Sequence, residues 1–151
     1  MLMKQLSIIL GLLVAVRALG DNEVMVKLDH VSAMGTRSNM WFMCALTIHN
    51  GTSTHLTATN LFIGPPGLAL KISDLDGKEL KRVYADPFIN DALNSPIIPP
   101  GNLTFKEPYG LSVPFPLPES VQSVRVRIEG ELSYAGYTVG LTSNIVEVHI
   151  P

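Results

Sequence analysis

Apolar and polar positions along the chain alternate with a period of two over several stretches, and almost nowhere with the period of a helix. Val24, Val26 and Leu28, with His30 in phase, alternate with Met25, Lys27 and Asp29, as expected of a half-buried strand. Residues 40–48 (MWFMCALTI) are nearly all apolar, which predicts a central strand covered on both faces. Asn50-Gly51 follows, a dipeptide that favours positive φ and marks a turn. Residues 54–63 (THLTATNLFI) supply a β-branched strand before Gly64-Pro65-Pro66-Gly67 breaks the chain. Leu68, Leu70 and Ile72 alternate again, and Asp74-Leu75-Asp76-Gly77 turns into residues 78–83 as the clearest hairpin of the sequence.

Residues 84–101 form one long irregular stretch, because Pro87, Pro96, Pro99 and Pro100 forbid a continuous ladder. A short helical turn fits residues 86–93, and residues 103–105 fit a brief strand. Pro108, Pro114, Pro116 and Pro118 mark an extended edge or loop. In the final third Val124, Val126 and Ile128 alternate with Arg125, Arg127 and Glu129, and Val146, Val148 and Ile150 with Ile145, Glu147 and His149. Seven or eight short strands with regularly spaced turns predict an all-β antiparallel sandwich or barrel.

The first twenty residues have a different character. Lys4 precedes an uncharged apolar run at residues 6–16 (LSIILGLLVAV), and Ala18-Leu19-Gly20 offers small residues where a signal peptidase cuts. Arg17 ends the run well short of the roughly twenty apolar residues that span a bilayer. Residues 1–20 therefore read as a signal peptide and residues 21–151 as a single domain, periplasmic or secreted and without a stable membrane anchor. Of the 151 residues, 11 are Lys or Arg and 13 Asp or Glu. Without Lys4 and Arg17 the balance is 9 − 13 = −4, which argues against a nucleic-acid partner. The longest basic cluster, Lys78, Lys81 and Arg82, reads as the solvated side of a hairpin strand.

The order LTIHNGTSTHLTATN, LKISDLDGKELKRV, IIPPGNLTF and LTSNIVEVHIP resembles the immunoglobulin-like domains of bacterial secreted proteins. In those a strand ending in Asn opens the core, a D-x-D-G-type hairpin follows, a Pro-Gly turn precedes a strand and a Ser-Asn-x-Val strand closes the fold. The resemblance covers most of residues 22–151 and implies an immunoglobulin-like sandwich. Cys44 has no cysteine partner, and Trp41 shares its segment, which departs from antibody-type domains. Such families include protease-associated domains, inhibitors and adhesive modules, so the resemblance leaves function open.

The candidate chemistry is sparse. Asp74, Asp76 and Gly77 suit a hairpin turn better than a calcium loop, whose glycine would come later and whose twelfth position would be a bidentate Glu. No G-x-S-x-G, H-E-x-x-H, G-x-G-x-x-G or Walker loop occurs. Cys44 lies in a run apolar enough to make it a core residue. His30, Met34, Met40, Met43 and His49 are one constellation of thioethers and imidazoles, ligands that suit copper. The segment GTRSNMWFMCALTIHNGTSTHLTATNL is similar to small periplasmic copper-binding sandwich proteins, although the second His-x-Met pair of those proteins is missing. Strict alternation points Met40 and Met43 to opposite faces. Asn50-Gly51-Thr52 and Asn102-Leu103-Thr104 are glycan acceptors in a eukaryotic secretory pathway and turn asparagines otherwise.

Phe88, Tyr109 and Phe115 lie among prolines that stiffen the backbone, and that stretch is the expected surface for a protein partner; the alternative is that these rings cap the open end of the core. The expected protein is an exported, non-catalytic binding or inhibitory module that needs no cofactor. A periplasmic copper carrier using the Met and His residues is the alternative.

Overall fold

The computed structural model describes residues 24–59, 67–84, 97–105 and 116–151, and among them every regular element is a β-strand. The strands are β1 (Val24–Thr36), β2 (Asn39–Asn50), β3 (Leu56–Thr59), β4 (Ala69–Ser73), β5 (Glu79–Val83), β6 (Ile97–Ile98), β7 (Gly101–Phe105), β8 (Ser123–Tyr134), β9 (Tyr137–Thr142) and β10 (Val146–His149). Two antiparallel sheets result. One has the order β1-β2-β7; the other has the order β5-β4-β8-β3-β6, with β9 and β10 also paired to β8. The helical turn expected at residues 86–93, together with Phe88, Tyr109 and Phe115, lies outside the described residues, as do residues 1–20.

The two sheets turn their apolar faces to each other around one core. Leu28, Met40, Phe42, Cys44, Leu46 and Ile48 come from the smaller sheet, and Leu70, Ile72, Val124, Val126, Ile128 and Leu132 from the larger. Fully burying an aliphatic side chain of this size contributes about 1.5–3 kcal/mol, so this interface outweighs every polar contact described below.

The described residues form ten strands where seven or eight are expected, because β8 is paired along its length by four short ones, and two further sequence expectations are corrected. Residues 40–48 are not covered on both faces: burial alternates along β2, with Met40, Phe42, Cys44, Leu46 and Ile48 buried and Trp41 exposed. The run is nearly all apolar because the outer positions carry Trp41, Met43 and Ala45 beside Thr47. His30, in phase with Leu28 by simple alternation, does not share its face. The β1–β2 register slips between Leu28 and His30, leaving Asp29 as the extra residue of a bulge. Beyond it Val31 is buried and His30 is exposed. A bulge re-aims every side chain that follows it, so His30, Ser32 and Met34 all join the outer face.

The long strand β8 is the backbone of the larger sheet. One edge pairs with β4 over Arg125–Glu129 and with β3 at Ser133 and Tyr134; the other pairs with β10 over Ser123–Val126 and with β9 over Glu129–Tyr134. The β8–β9 hairpin, with Ala135 and Gly136 at positive φ in its turn, was not legible in the sequence. Where the chain leaves β9, the Ser143 N–H donates to the Ile128 carbonyl at 2.9 Å while the Ser143 hydroxyl accepts from the Ile128 N–H at 2.8 Å. Asn144 then reaches the outer edge of β1: its Oδ1 accepts from the Leu28 N–H at 2.9 Å and its Nδ2 donates to the Leu28 carbonyl at 3.0 Å. The side-chain amide pairs as a strand residue would, tying the larger sheet to the bulged end of the smaller.

At the far end of β2 the side chain of Asn50 is buried, at 1% exposure. Its Oδ1 accepts from the N–H and hydroxyl of Thr52, and its Nδ2 donates to the carbonyls of Thr54 and Ile98. The turn expected at Asn50-Gly51 is thus built around an amide with no access to solvent.

Replacing Asn144 by Ala removes both bonds to Leu28 and leaves an edge peptide without its partner. We expect a loss of about 2 kcal/mol, read as a lower urea midpoint with an unchanged m-value; a midpoint equal to wild type contradicts the linking role.

Candidate functional site

The expected metal constellation is divided by the fold. Met40 is fully buried in the core, opposite Gly35, and contributes packing. His49 lies on the outer face further along β2, where its Nδ1 stands 2.8 Å from Asn102 Oδ1. The remaining three come together: His30 is opposite Ala45, Ser32 opposite Met43 and Met34 opposite Trp41, all on the outer face of the β1–β2 hairpin. Met43 therefore occupies the diagonal position to both His30 and Met34, with the small Ser32 between those two. Diagonal neighbours on one face of a sheet are within reach of long side chains. Among the described residues no group of three or more His, Cys, Asp or Glu is placed to hold a metal ion.

The same face exposes apolar surface. Met34 is 50% exposed and Trp41 36%, and the register makes them direct cross-strand partners. The hairpin that carries them is anchored at its tip, where the Arg37 carbonyl accepts from the Leu117 N–H at 2.7 Å and Arg37 Nη1 donates to the Val121 carbonyl at 2.7 Å. These bonds also fix the near end of the proline-rich segment, at residues 116–121, beside the hairpin tip.

The outer face of the larger sheet is charged. Arg82, Lys71 and Arg127 stand abreast on β5, β4 and β8, a row of like charges that would repel if left bare. Two carboxylates lie between them. Glu129 reaches Arg82 at 3.1 Å, Lys71 at 3.6 Å and Arg127 at 2.5 Å, and Glu79 reaches Arg82 at 2.9 Å and Lys71 at 3.5 Å. Arg82, read from sequence as part of a merely solvated basic cluster, thus joins β5 to β8. Burial pushes the Glu129 carboxyl upward, but Arg82, Arg127 and Lys71 together hold it below its ordinary value. Hydrogen bonds from Arg82 hold Glu79 low as well, against a smaller opposing effect of burial. On the other sheet the Thr47 hydroxyl, with Lys27, lowers Asp29.

No protein family matches the chain, and no curated protein matches it. Among solved structures it is similar to one titled "X-ray structure of Northeast Structural Genomics Consortium target SoR45", with 15% identity over 87% of this chain and 89% of the other and a TM-score of 0.53. At that identity the likeness concerns the fold alone.

Because Asp29, Glu79 and Glu129 all have depressed folded values, each contributes stability that is present above its unfolded value and lost as pH falls through the folded one. Urea midpoints should therefore hold at neutral pH and fall progressively once the pH drops below about 4.5. Glu129→Gln should cost about 1 kcal/mol at pH 7 and flatten that acid slope; an equally steep slope in the variant contradicts the network's role.

Proposed function

We propose that the chain is an exported, non-catalytic binding module, built as an immunoglobulin-like sandwich, that recognises a protein partner. The observation that carries this reading is the pair Trp41 and Met34, exposed side by side on a hairpin whose opposite face is locked into the core. Aromatic residues and methionine are enriched at protein interfaces, and methionine adapts its shape to what it meets. A rigid strand pair presents them at little entropic cost on binding. We keep Phe88, Tyr109 and Phe115 as candidate contact residues of the same partner, and the described end of the proline-rich segment, residues 116–121, is bonded to the tip of the same hairpin. The lack of hydrolase and nucleotide signatures supports a function by binding alone.

A second reading keeps one specific observation in its favour. His30, Met34 and Met43 share an exposed face at diagonal spacing, and two thioethers with one imidazole form a soft ligand set suited to Cu(I). Met40, a core residue, leaves that set, and His49 is engaged with Asn102.

The two readings separate experimentally. With the exported chain as bait in crosslinking capture, Trp41→Ala should reduce recovery of a specific partner by more than about 1 kcal/mol equivalent, as for an aromatic anchor. Phe115→Ala and Tyr109→Ala should do the same if the segment shares the surface. Unchanged recovery in all three variants sinks the proposed face. Titration with Cu(I) against a competing chelator should give no tight stoichiometric site if protein recognition is the function. A tight site abolished by Met43→Leu but kept in Met40→Leu reverses the ranking in favour of copper.

A further inference from the structure

We propose that the outer face of the larger sheet holds a binding site for one small oxyanion group, a carboxylate or a phosphoryl. The site is a cleft of ≈ 100 Å³ where β4 and β8 meet the β4–β5 turn and the connection into β10. Lys71, Ser73, Gly77, Arg125, Arg127 and Ile145 line it. Every ionisable side chain on its wall is a cation, in a chain whose formal net charge is −2.

The uneven pairing of the cations gives the reason an anion fits. Lys71, Arg82, Arg125 and Arg127 are four cations, and among the described residues three carboxylates meet them: Glu79, Glu129 and Glu147. Two of these, Glu79 and Glu129, serve the row Arg82, Lys71 and Arg127, Glu129 from the side away from Arg125 and Glu79 from the row of Ser73 and Arg125. Glu147 stands 4.0 Å from Arg125 Nε, with both side chains about half exposed, which makes it a weak and solvent-screened partner. Arg125 is therefore the least compensated of the four cations, and its side chain is on the wall of the cleft.

The cleft is also held open. Arg125 Nη1 donates to the Leu75 carbonyl at 2.8 Å, which fixes the guanidinium against the β4–β5 turn. That turn is closed by the Asp74 carboxylate, accepting from the Lys78 N–H at 2.8 Å, and by Gly77 at φ +89°. Ser73 spends its hydroxyl proton on the Arg125 carbonyl at 3.3 Å. Lys71, Arg125 and Arg127 line the cleft, and the guanidinium of Arg125 keeps donors to spare beyond its bond to Leu75, since it carries five. Arg pairs with planar carboxylates and with phosphoryl groups through two parallel bonds, and both ligands share that chemistry.

The test uses the folded chain in ¹H–¹⁵N spectra. Inorganic phosphate and acetate are titrated separately, against chloride at matched ionic strength so that plain screening is subtracted. Saturable shifts centred on Ser73, Gly77 and Arg127, with a Kd on the order of 1 mM or tighter, are expected. Saturation by phosphate alone identifies a phosphoryl site, and saturation by acetate alone or by both identifies a carboxylate-compatible one. Arg125→Gln, which leaves the Glu129 network intact, should weaken binding about tenfold. Glu147→Gln, which removes a competing carboxylate, should strengthen it severalfold. Shifts that follow chloride, or that are unchanged in Arg125→Gln, mean an adventitious ion only and overturn the proposal; so does weaker binding in Glu147→Gln.

Discussion

Everything in the larger sheet depends on the need of one strand to satisfy its backbone on both edges. A twelve-residue strand in the middle of a sheet presents donors and acceptors to either side, and no buried peptide group can be left bare without a cost comparable to a lost hydrogen bond. β8 meets that demand with four shorter strands, two on each edge. Short partners leave joints. At one joint Ser143 stands in for a strand residue opposite Ile128. At another, Gly130 lies so close to the Gly67 carbonyl that a Cβ there would collide with it. The small residues at these joints follow from the division of labour along β8.

The same logic joins the sheets. Asn144 comes directly after Ser143, so the joint that completes β8 also delivers the amide that pairs with Leu28 at the edge of β1. Leu28 is in turn the last residue before the Asp29 bulge. A chain of local backbone requirements thus leads from the centre of one sheet to the point on the other where the outer face is re-aimed, and to the placement of His30, Ser32 and Met34.

Much of this was legible in the sequence wherever burial alone decides a residue's type. Val24 to Leu28, Leu70 to Ile72 and Val124 to Ile128 alternate because one face meets the core and the other water. The hairpin at Asp74 to Gly77 was legible because its turn chemistry is local. What the sequence concealed has no local signature. The second half of β8 and the whole of β9 carry Gly, Ser, Thr and Tyr at their outer and turn positions, so the apolar rhythm fades. The bulge at Asp29 adds one residue without any Gly or Pro to mark it. The cationic cleft depends on register: Lys71, Arg82, Arg125 and Arg127 all appear as polar positions on alternating strands, but only cross-strand pairing sets Arg82, Lys71 and Arg127 abreast with Arg125 one row along. The aromatic residues Phe88, Tyr109 and Phe115 were found by composition, whereas Trp41 was read as part of a covered strand and missed as exposed surface.

The closed environment of Asn50 has a consequence for making the protein. Oligosaccharide is transferred to extended chains as they enter a secretory pathway, before any turn has formed, and both sequons are then equally open. A sugar on Asn102 would project from the outer face of β7 into solvent. A sugar on Asn50 would stand where the amide must meet Thr52, Thr54 and Ile98, and the strand end could not close around it. In a host that glycosylates Asn50 the strand end would be blocked, and a host without N-glycosylation leaves that amide to close it.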